Sequence, residues 1–123
     1  MSVLRELGSI VPTQIWTDIV ARIVEGDRIT MAVVELPPNG RVPEHQHENE
    51  QIGMCLAGSV TFRIGDEKRE MNAGGTWKIL GNVPHEATAG PHGAVVVEVF
   101  SPIRSDWKEL PSAPDADLRW PHE

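Results

Sequence analysis

The sequence predicts an all-β domain, either a sandwich or a barrel of short antiparallel strands. Eleven glycines and ten prolines interrupt the 123 residues at short intervals, and both residue types mark turns. The segments between them are rich in valine, isoleucine, threonine, phenylalanine and tryptophan, which favour strands over helices. A chain of this length forms one hydrophobic core, so we expect a single domain.

The first strands are predicted before residue 37. Segment 16–24 has a mixed pattern, whereas segment 29–36 is a compact apolar run. The run ends at a proline-rich stretch, 37–40, whose composition is a strong turn signal.

The middle of the chain predicts two further strands and a hairpin. A Gly-Ser pair, 58–59, separates segment 51–57 from segment 60–64, in which apolar and polar residues alternate as in a half-buried strand. The pair 65–66, Gly-Asp, provides the hairpin turn, and segment 67–71 returns antiparallel.

The last strands are separated by two glycine-containing turns. Segment 76–80 (TWKIL) follows two glycines and closes at turn 81–84. After the next turn, 90–93, the apolar run 94–100 supplies the final strand.

The two ends of the chain lie outside this strand pattern. Residues 1–15 are predicted as an N-terminal arm, and residues 16–105 as the barrel. Residues 106–123 contain three prolines and several acids, so they have little capacity to fold alone. Because Trp107 and Trp120 are strongly apolar, we expect this C-terminal tail to pack on the barrel.

Composition and charge limit the function classes. A net charge of −7 with scattered basic residues opposes binding to nucleic acid, which depends on clustered lysine and arginine. No window approaches the roughly 18 apolar residues of a membrane span, and the first residues carry both charge signs, unlike a signal peptide. The single cysteine, Cys55, excludes an internal disulfide. We therefore expect a soluble, cytoplasmic protein.

A metal site is predicted from one short segment and a distant histidine. Side chains in a strand alternate between faces, so His45, His47 and Gln51, two and four residues apart, are expected on one side. His85 follows a turn, 81–84, that would return the chain to the same side of the sheet as these residues. Three imidazoles and one oxygen suit a divalent transition metal (Zn, Ni, Fe, Mn, Co or Cu) better than Mg or Ca. The alternative is a solvated polar loop.

The same residues resemble the two motifs of the cupin superfamily. Segment 40–58 resembles the first motif, with Gln51 in place of its glutamate, and segment 74–89 resembles the second and retains His85. The resemblance covers most of the chain. It implies a cupin double-stranded β-helix, a jelly-roll barrel in one domain, with the four residues named above as metal ligands. Because glutamine is neutral, the metal would keep its full charge and favour a small anionic partner.

Two shorter stretches resemble one family more closely. HENEQIG at 47–53 and VEVFSPIRSDW at 97–107 are similar to the KdgF family, small cupins that linearise and ketonise 4,5-unsaturated uronates. The resemblance implies that Glu98, Phe100 and Arg104 face the metal, with Glu98 in place of the family's aspartate. Strand alternation independently places Glu98 and Phe100 on one face. The alternative is a surface ion pair between Glu98 and Arg104 beside a core phenylalanine.

The function implied is a metal-assisted isomerisation or ketonisation of an unsaturated uronate or a related sugar acid. Arg104 would clamp the substrate carboxylate, Glu98 would give or accept the proton, and Phe100 would form an apolar wall. Two other classes stay open: a metal-dependent dioxygenase, and a non-catalytic cupin that binds a sugar or another small ligand. The sequence therefore leaves open whether the chain is an enzyme.

The strand that begins at Gln51 also predicts a homodimer. If Gln51 faces the metal, alternation turns Ile52, Met54 and Leu56 outward. Three large apolar side chains on an outer face need a cover. We expect the N-terminal arm and a second subunit to provide it.

Overall fold

The computed structural model describes residues 2–121, which form eight antiparallel strands in one sheet around a hydrophobic core. The strands are β1 (Thr13–Trp16), β2 (Ile19–Glu25), β3 (Thr30–Leu36), β4 (Arg41–His45), β5 (Glu50–Ile64), β6 (Glu67–Asn72), β7 (Thr76–Ile79) and β8 (His85–Ser101). Their order is β1-β2-β3-β8-β5-β6, with β4 paired to β8 and β7 paired to β5. Helical structure in the described residues is confined to two 3₁₀ turns, Leu7–Ser9 and Ser105–Glu109. The all-β prediction is confirmed.

The two longest strands, β5 and β8, are bent at glycines rather than broken there. β5 continues through Gly58 and β8 continues through Gly93, at φ angles of +74° and +77°. The ladder between the two strands shifts register twice around Gly58. Such β-bulges bend a strand without ending it. The prediction of separate strands on either side of 58–59, and of a turn at 90–93 before the final strand, is therefore wrong.

Alternation separates the inner and outer faces of β8 and β5 as predicted. Glu98 and Phe100 lie on the inner face and are only 4% and 2% exposed. Ile52 and Met54 lie on the outer face and are 52% and 38% exposed. Leu56, which lies beside the bulge, is half-buried. The inner face thus carries buried polar groups as well as the apolar core.

Both ends of the chain contact the barrel. β1 begins at Thr13, which forms an isolated bridge with Ser112. Arg22 of β2 donates a hydrogen bond to the carbonyl of Ala116 at 2.8 Å. Arg119 donates one to a carbonyl of β3, also at 2.8 Å. These contacts lay part of the C-terminal tail over the outer face of β2 and β3.

The division of the chain into arm, barrel and tail (1–15, 16–105 and 106–123) stays a prediction. Residues 1, 122 and 123 of the predicted arm and tail lie outside the described part of the chain. Among the helical segments of residues 2–121, none has the length and apolar character that crossing a membrane requires.

Candidate metal centre

Three histidines converge from two strands and a loop. His45 ends β4, His47 lies in the connection to β5, and His85 begins β8 opposite His45 in the ladder. One candidate ligand atom from each lies within 4.8 Å of the others. The prediction that a single strand carries both histidines and Gln51 is wrong, because β4 ends at His45 and Gln51 belongs to β5. The loop nevertheless returns His47 to the cluster, with its ring centroid 5.0 Å from that of His85.

Backbone carbonyls fix the tautomer of all three histidines. The Nδ1 acceptors are the carbonyls of Pro43 for His45, Asn49 for His47 and Val83 for His85, at 2.9, 2.9 and 2.8 Å. Since a carbonyl only accepts, each Nδ1 carries the proton and each Nε2 keeps a free lone pair. Burial lowers the pKa of the three imidazoles, that of His85 to about 4. The cluster therefore presents neutral rings with three lone-pair nitrogens.

Two features show that these residues fit a divalent transition metal. His85 Nε2 is buried and has no hydrogen-bond partner among residues 2–121. His47 Nε2 lies 3.1 Å from Gln51 Oε1, although the tautomer makes both atoms acceptors. Gln51 is held in this orientation because its Nε2 donates to Glu98 Oε2 at 2.6 Å. Lone pairs that face each other without a proton are satisfied by a cation, and this set of nitrogens and oxygen suits a transition metal.

Glu98 is a buried carboxylate held by neutral donors. Trp77 Nε1 lies 2.9 and 3.1 Å from its two oxygens, and Gln51 supplies the third hydrogen bond. Burial raises the pKa of the Glu98 carboxyl to about 8, against the opposing effect of these hydrogen bonds. The alternative of a surface ion pair with Arg104 is wrong, since both side chains are buried and bond to other residues.

The approach of Trp77 to Glu98 depends on a glycine between them. In the sheet, Gly53 of β5 pairs with Trp77 on one side and with Glu98 on the other. A Cβ at Gly53 would overlap both the indole nitrogen and the carboxylate. Trp77 was not predicted from the sequence, because only the register of β7 against β5 brings it to this position.

Arg104 is oriented by two aromatic rings and one carboxylate. Its guanidinium carbon lies 4.7 Å from the ring centre of Phe100 and 4.2 Å from that of Trp107. Nε and Nη2 donate to the two oxygens of Asp106 at 3.1 and 3.0 Å. Nη1 has no hydrogen-bond partner among residues 2–121, so its N–H groups are available to a ligand. Asp106 was also missed, and the Arg-Ser-Asp spacing was its signal.

A cavity of about 60 Å³ joins these groups. Its polar lining comes from His45, His85, Gln51, Glu86, Glu98 and Arg104. Trp16 of β1, which was not predicted from the sequence either, lines the cavity and has its ring centre 5.1 Å from that of His45. The structure thus brings all seven predicted site residues into one region, six of them directly and His47 through its contacts with Gln51 and the other histidines.

Comparisons of this chain with known proteins agree on its family and on its fold. Residues 32–100 match the family model described as cupin domain. The pectin degradation protein KdgF of Dickeya dadantii (strain 3937) is 29% identical over 86 residues, which are 69% of this chain and 78% of that protein. The H2HPP isomerase of Bacillus subtilis is 40% identical over 53 residues, 42% of this chain but only 22% of that protein.

Solved structures show the same fold at low sequence identity. An RmlC-like cupin from Shewanella frigidimarina NCIMB 400 aligns with a TM-score of 0.80 and 16% identity over 86% of this chain and 96% of that chain. KdgF from Halomonas sp. aligns with a TM-score of 0.79 and 23% identity over 86% of this chain and 98% of that chain. The predicted jelly-roll barrel is confirmed.

Proposed function

Because this chain belongs to the cupin family, we propose that it is a metal-assisted isomerase that moves a proton on a small carboxylic acid. The observation that carries the proposal is the buried carboxyl of Glu98, which faces the same cavity as His45, His85 and Arg104. Two relatives support the reaction type, since one is named for pectin degradation and the other is named an isomerase. We propose unsaturated uronates, related sugar acids or similar keto acids as its substrates.

The metal would be held by His45, His47, His85 and Gln51, and we propose one divalent ion. When bound, such an ion supplies Lewis-acid chemistry toward a substrate oxygen. All four side chains are neutral, because hydrogen bonds fix the neutral tautomer of each histidine and orient the uncharged amide of Gln51. The centre would therefore keep its positive charge and favour an anionic ligand.

The remaining side chains bind, shield and exchange a proton. Nη1 of Arg104 donates to the substrate carboxylate, while Asp106 keeps the guanidinium plane fixed. Glu98 gives a proton to the substrate carbon or accepts one from it. Its position is set by Trp77 and Gln51, and Phe100 excludes water from this side of the cavity.

The test is the variant Glu98→Gln, assayed in the metal-loaded protein. We expect turnover to fall at least about 100-fold, because the proton donor is lost, while the metal content stays unchanged. Turnover is followed by the ultraviolet absorbance of an unsaturated uronate, and by deuterium exchange at C3 of 2-oxobutanoate in D2O. The matched control is Glu67→Gln, an exposed strand position, which should retain full activity.

Three outcomes would overturn the proposal. Loss of the metal from Glu98→Gln would make Glu98 a structural support of the centre. An activity that requires Fe(II) and consumes O2 would indicate a dioxygenase. A ligand that raises the melting temperature of the protein without any product or exchange would indicate a non-catalytic binding protein.

We propose further that a second copy of the chain covers the outer face of β5 and β3. Ile52 and Met54 are exposed there, and Met31 of β3 is 39% exposed. Met31 and Ile52 lie on either side of Val99 of β8, which pairs with both of them in the sheet. A contiguous apolar surface of this kind needs a cover. Analytical ultracentrifugation should show a dimer at micromolar concentration, and Ile52→Lys should shift it to monomer. A wild-type monomer at that concentration would refute the dimer. The cytoplasmic location stays a prediction.

A further inference from the structure

The cavity beside the candidate metal centre has a polar end and an apolar end. On β8 the inward positions run from Phe100 through Glu98 to Val96, and Phe100 pairs with Gln51 of β5. Strand residues are spaced by about 3.4 Å, so Val96 lies about 14 Å along the strand from Phe100. Both residues line the cavity, which therefore extends from the level of the histidines into the interior of the barrel.

The apolar end offers no hydrogen bond to a ligand. Its wall consists of hydrocarbon side chains from four strands: Val34, Leu36, Val42, Val60, Ala87 and Val96. The backbones of Val34 and Val96 pair with each other, and that of Val60 pairs with Ala89 and Met71. Glu98, the polar group that borders this end, already accepts hydrogen bonds from Trp77 and Gln51.

A ligand group that enters this end must therefore be a hydrocarbon. A hydroxyl buried there would lose its hydrogen bonds to water and find no replacement, which weakens binding by roughly tenfold or more. A sugar acid carries hydroxyls along its carbon chain and would meet this penalty. An alkyl group instead gains affinity, because it leaves water for an apolar wall.

The size of the cavity limits the length of that group. The space is about 60 Å³, whereas an apolar cavity of about 150 Å³ accommodates benzene. The apolar end therefore has no room for an aromatic ring and limits the hydrocarbon group to an aliphatic chain of one or two carbons, while the acid head takes the polar end.

We propose that the site takes a small 2-oxo acid, or its enol, that carries a short aliphatic group. This inference rests on the proposed function and narrows its substrate class. The carboxylate and the oxo oxygen lie at the polar end, near Arg104 and the candidate ligands. The aliphatic group lies against Val34, Val60 and Val96, and Glu98 lies where the two ends meet, beside the carbon that exchanges a proton.

The test compares acids that share the same head, by calorimetric titration of the metal-loaded protein. Glyoxylate has no side chain, and 2-oxobutanoate and 3-hydroxypyruvate differ only by a methyl in place of a hydroxyl. We expect affinity to rise about fourfold for each carbon added from glyoxylate to 2-oxobutanoate. We expect 2-oxobutanoate to bind about tenfold more tightly than 3-hydroxypyruvate.

Two variants of one strand locate the effect. Val96→Thr places a hydroxyl at the apolar end with almost no change in volume, and it should reduce the preference for 2-oxobutanoate while glyoxylate binds as before. The control is Val97→Thr, on the outer face of β8, which should leave the preference intact. Val60→Thr tests the opposite wall in case Val96→Thr unfolds.

The outcomes separate this inference from the proposed function. If glyoxylate binds in a metal-dependent manner but the methyl adds no affinity, or if 3-hydroxypyruvate binds equally well, the aliphatic pocket is refuted and the proposed function is not. If glyoxylate fails to bind the metal-loaded protein, the acid head has no site and both proposals are refuted.

Discussion

Glu35 and Glu98 are buried carboxyl groups on opposite faces of the same sheet, and their hydrogen-bond donors differ in charge. Glu35, on the outer face of β3 beneath the tail, pairs with Arg22 Nη1 at 3.2 Å and accepts a hydrogen bond from the backbone of Arg119. Glu98, on the inner face, has no ion pair among residues 2–121 and is held by the neutral donors of Gln51 and Trp77.

This difference distinguishes a structural carboxylate from a candidate functional one. Burying a charge is costly unless a partner of opposite charge compensates it. Beneath the tail, the chain supplies that partner, although Arg22 Nε is buried without a hydrogen bond among residues 2–121. At the inner wall it supplies neutral ligands and an uncompensated acid, so burial raises the pKa of Glu98. Perturbed groups of this kind in a cavity are concentrated at functional sites.

The largest expected effect on stability comes from breaking the ion pair between Arg22 and Glu35. Arg22→Met removes the cation, the hydrogen bond to Ala116 and the charge that balances Glu35. We expect the free energy of unfolding to fall by about 3 to 5 kcal/mol, because a buried charge loses its partner. Urea denaturation followed by tryptophan fluorescence measures the change.

Two further variants make this prediction specific. Arg22→Met combined with Glu35→Leu removes both charges and should recover most of the lost stability. Arg41→Met breaks an exposed pair with Glu86 and should leave the urea midpoint unchanged. A double variant as unstable as Arg22→Met alone would show that the packing of the arginine, and not its charge, matters.

The second largest effect on stability should come from binding of a metal ion at the candidate metal centre. Zn²⁺ at about 100 times its Kd should raise the free energy of unfolding by about 2.7 kcal/mol, through binding to the folded state alone. His85→Ala should abolish this gain, because it removes the buried Nε2. The decrease caused by Arg22→Met should be the same with and without metal, since the two regions share no hydrogen-bond partner. Equal stabilisation of His85→Ala by Zn²⁺ would contradict the assignment of the centre.

The sequence predicted the fold class and the residues at this centre because both depend on local patterns. The period of two places Glu98 and Phe100 inward whatever the rest of the chain does. The spacing of His45 and His47 indicated a shared face, and the structure brings them together through a loop instead of one strand. The glycine at position 58 carried a turn signal, but a residue at positive φ also fits a bulge, and composition does not distinguish the two.

What the sequence did not predict depends on register and on contacts between distant segments. Trp77 reaches Glu98 only because Gly53 lies between them in the paired strands. Arg22 alternates outward on β2 and is buried only because the tail returns over it. Alternation assigns a face of the sheet, but it does not tell what will cover that face.

The smallest expected effect on stability concerns a third buried charge, that of Arg104. Its partner Asp106 is largely exposed, so Asp106→Asn should lower the free energy of unfolding by less than about 1 kcal/mol. The guanidinium would lose its charged partner and keep one hydrogen bond, to the amide oxygen, and the acid head of the substrate would meet a less fixed donor. We expect kcat/KM to fall about tenfold, mainly through KM, because orientation of the carboxylate contributes to binding. Asp66→Asn, in the exposed β5–β6 turn, is the control. A loss of stability as large as that of Arg22→Met, with KM unchanged, would instead place Asp106 with the structural pair beneath the tail.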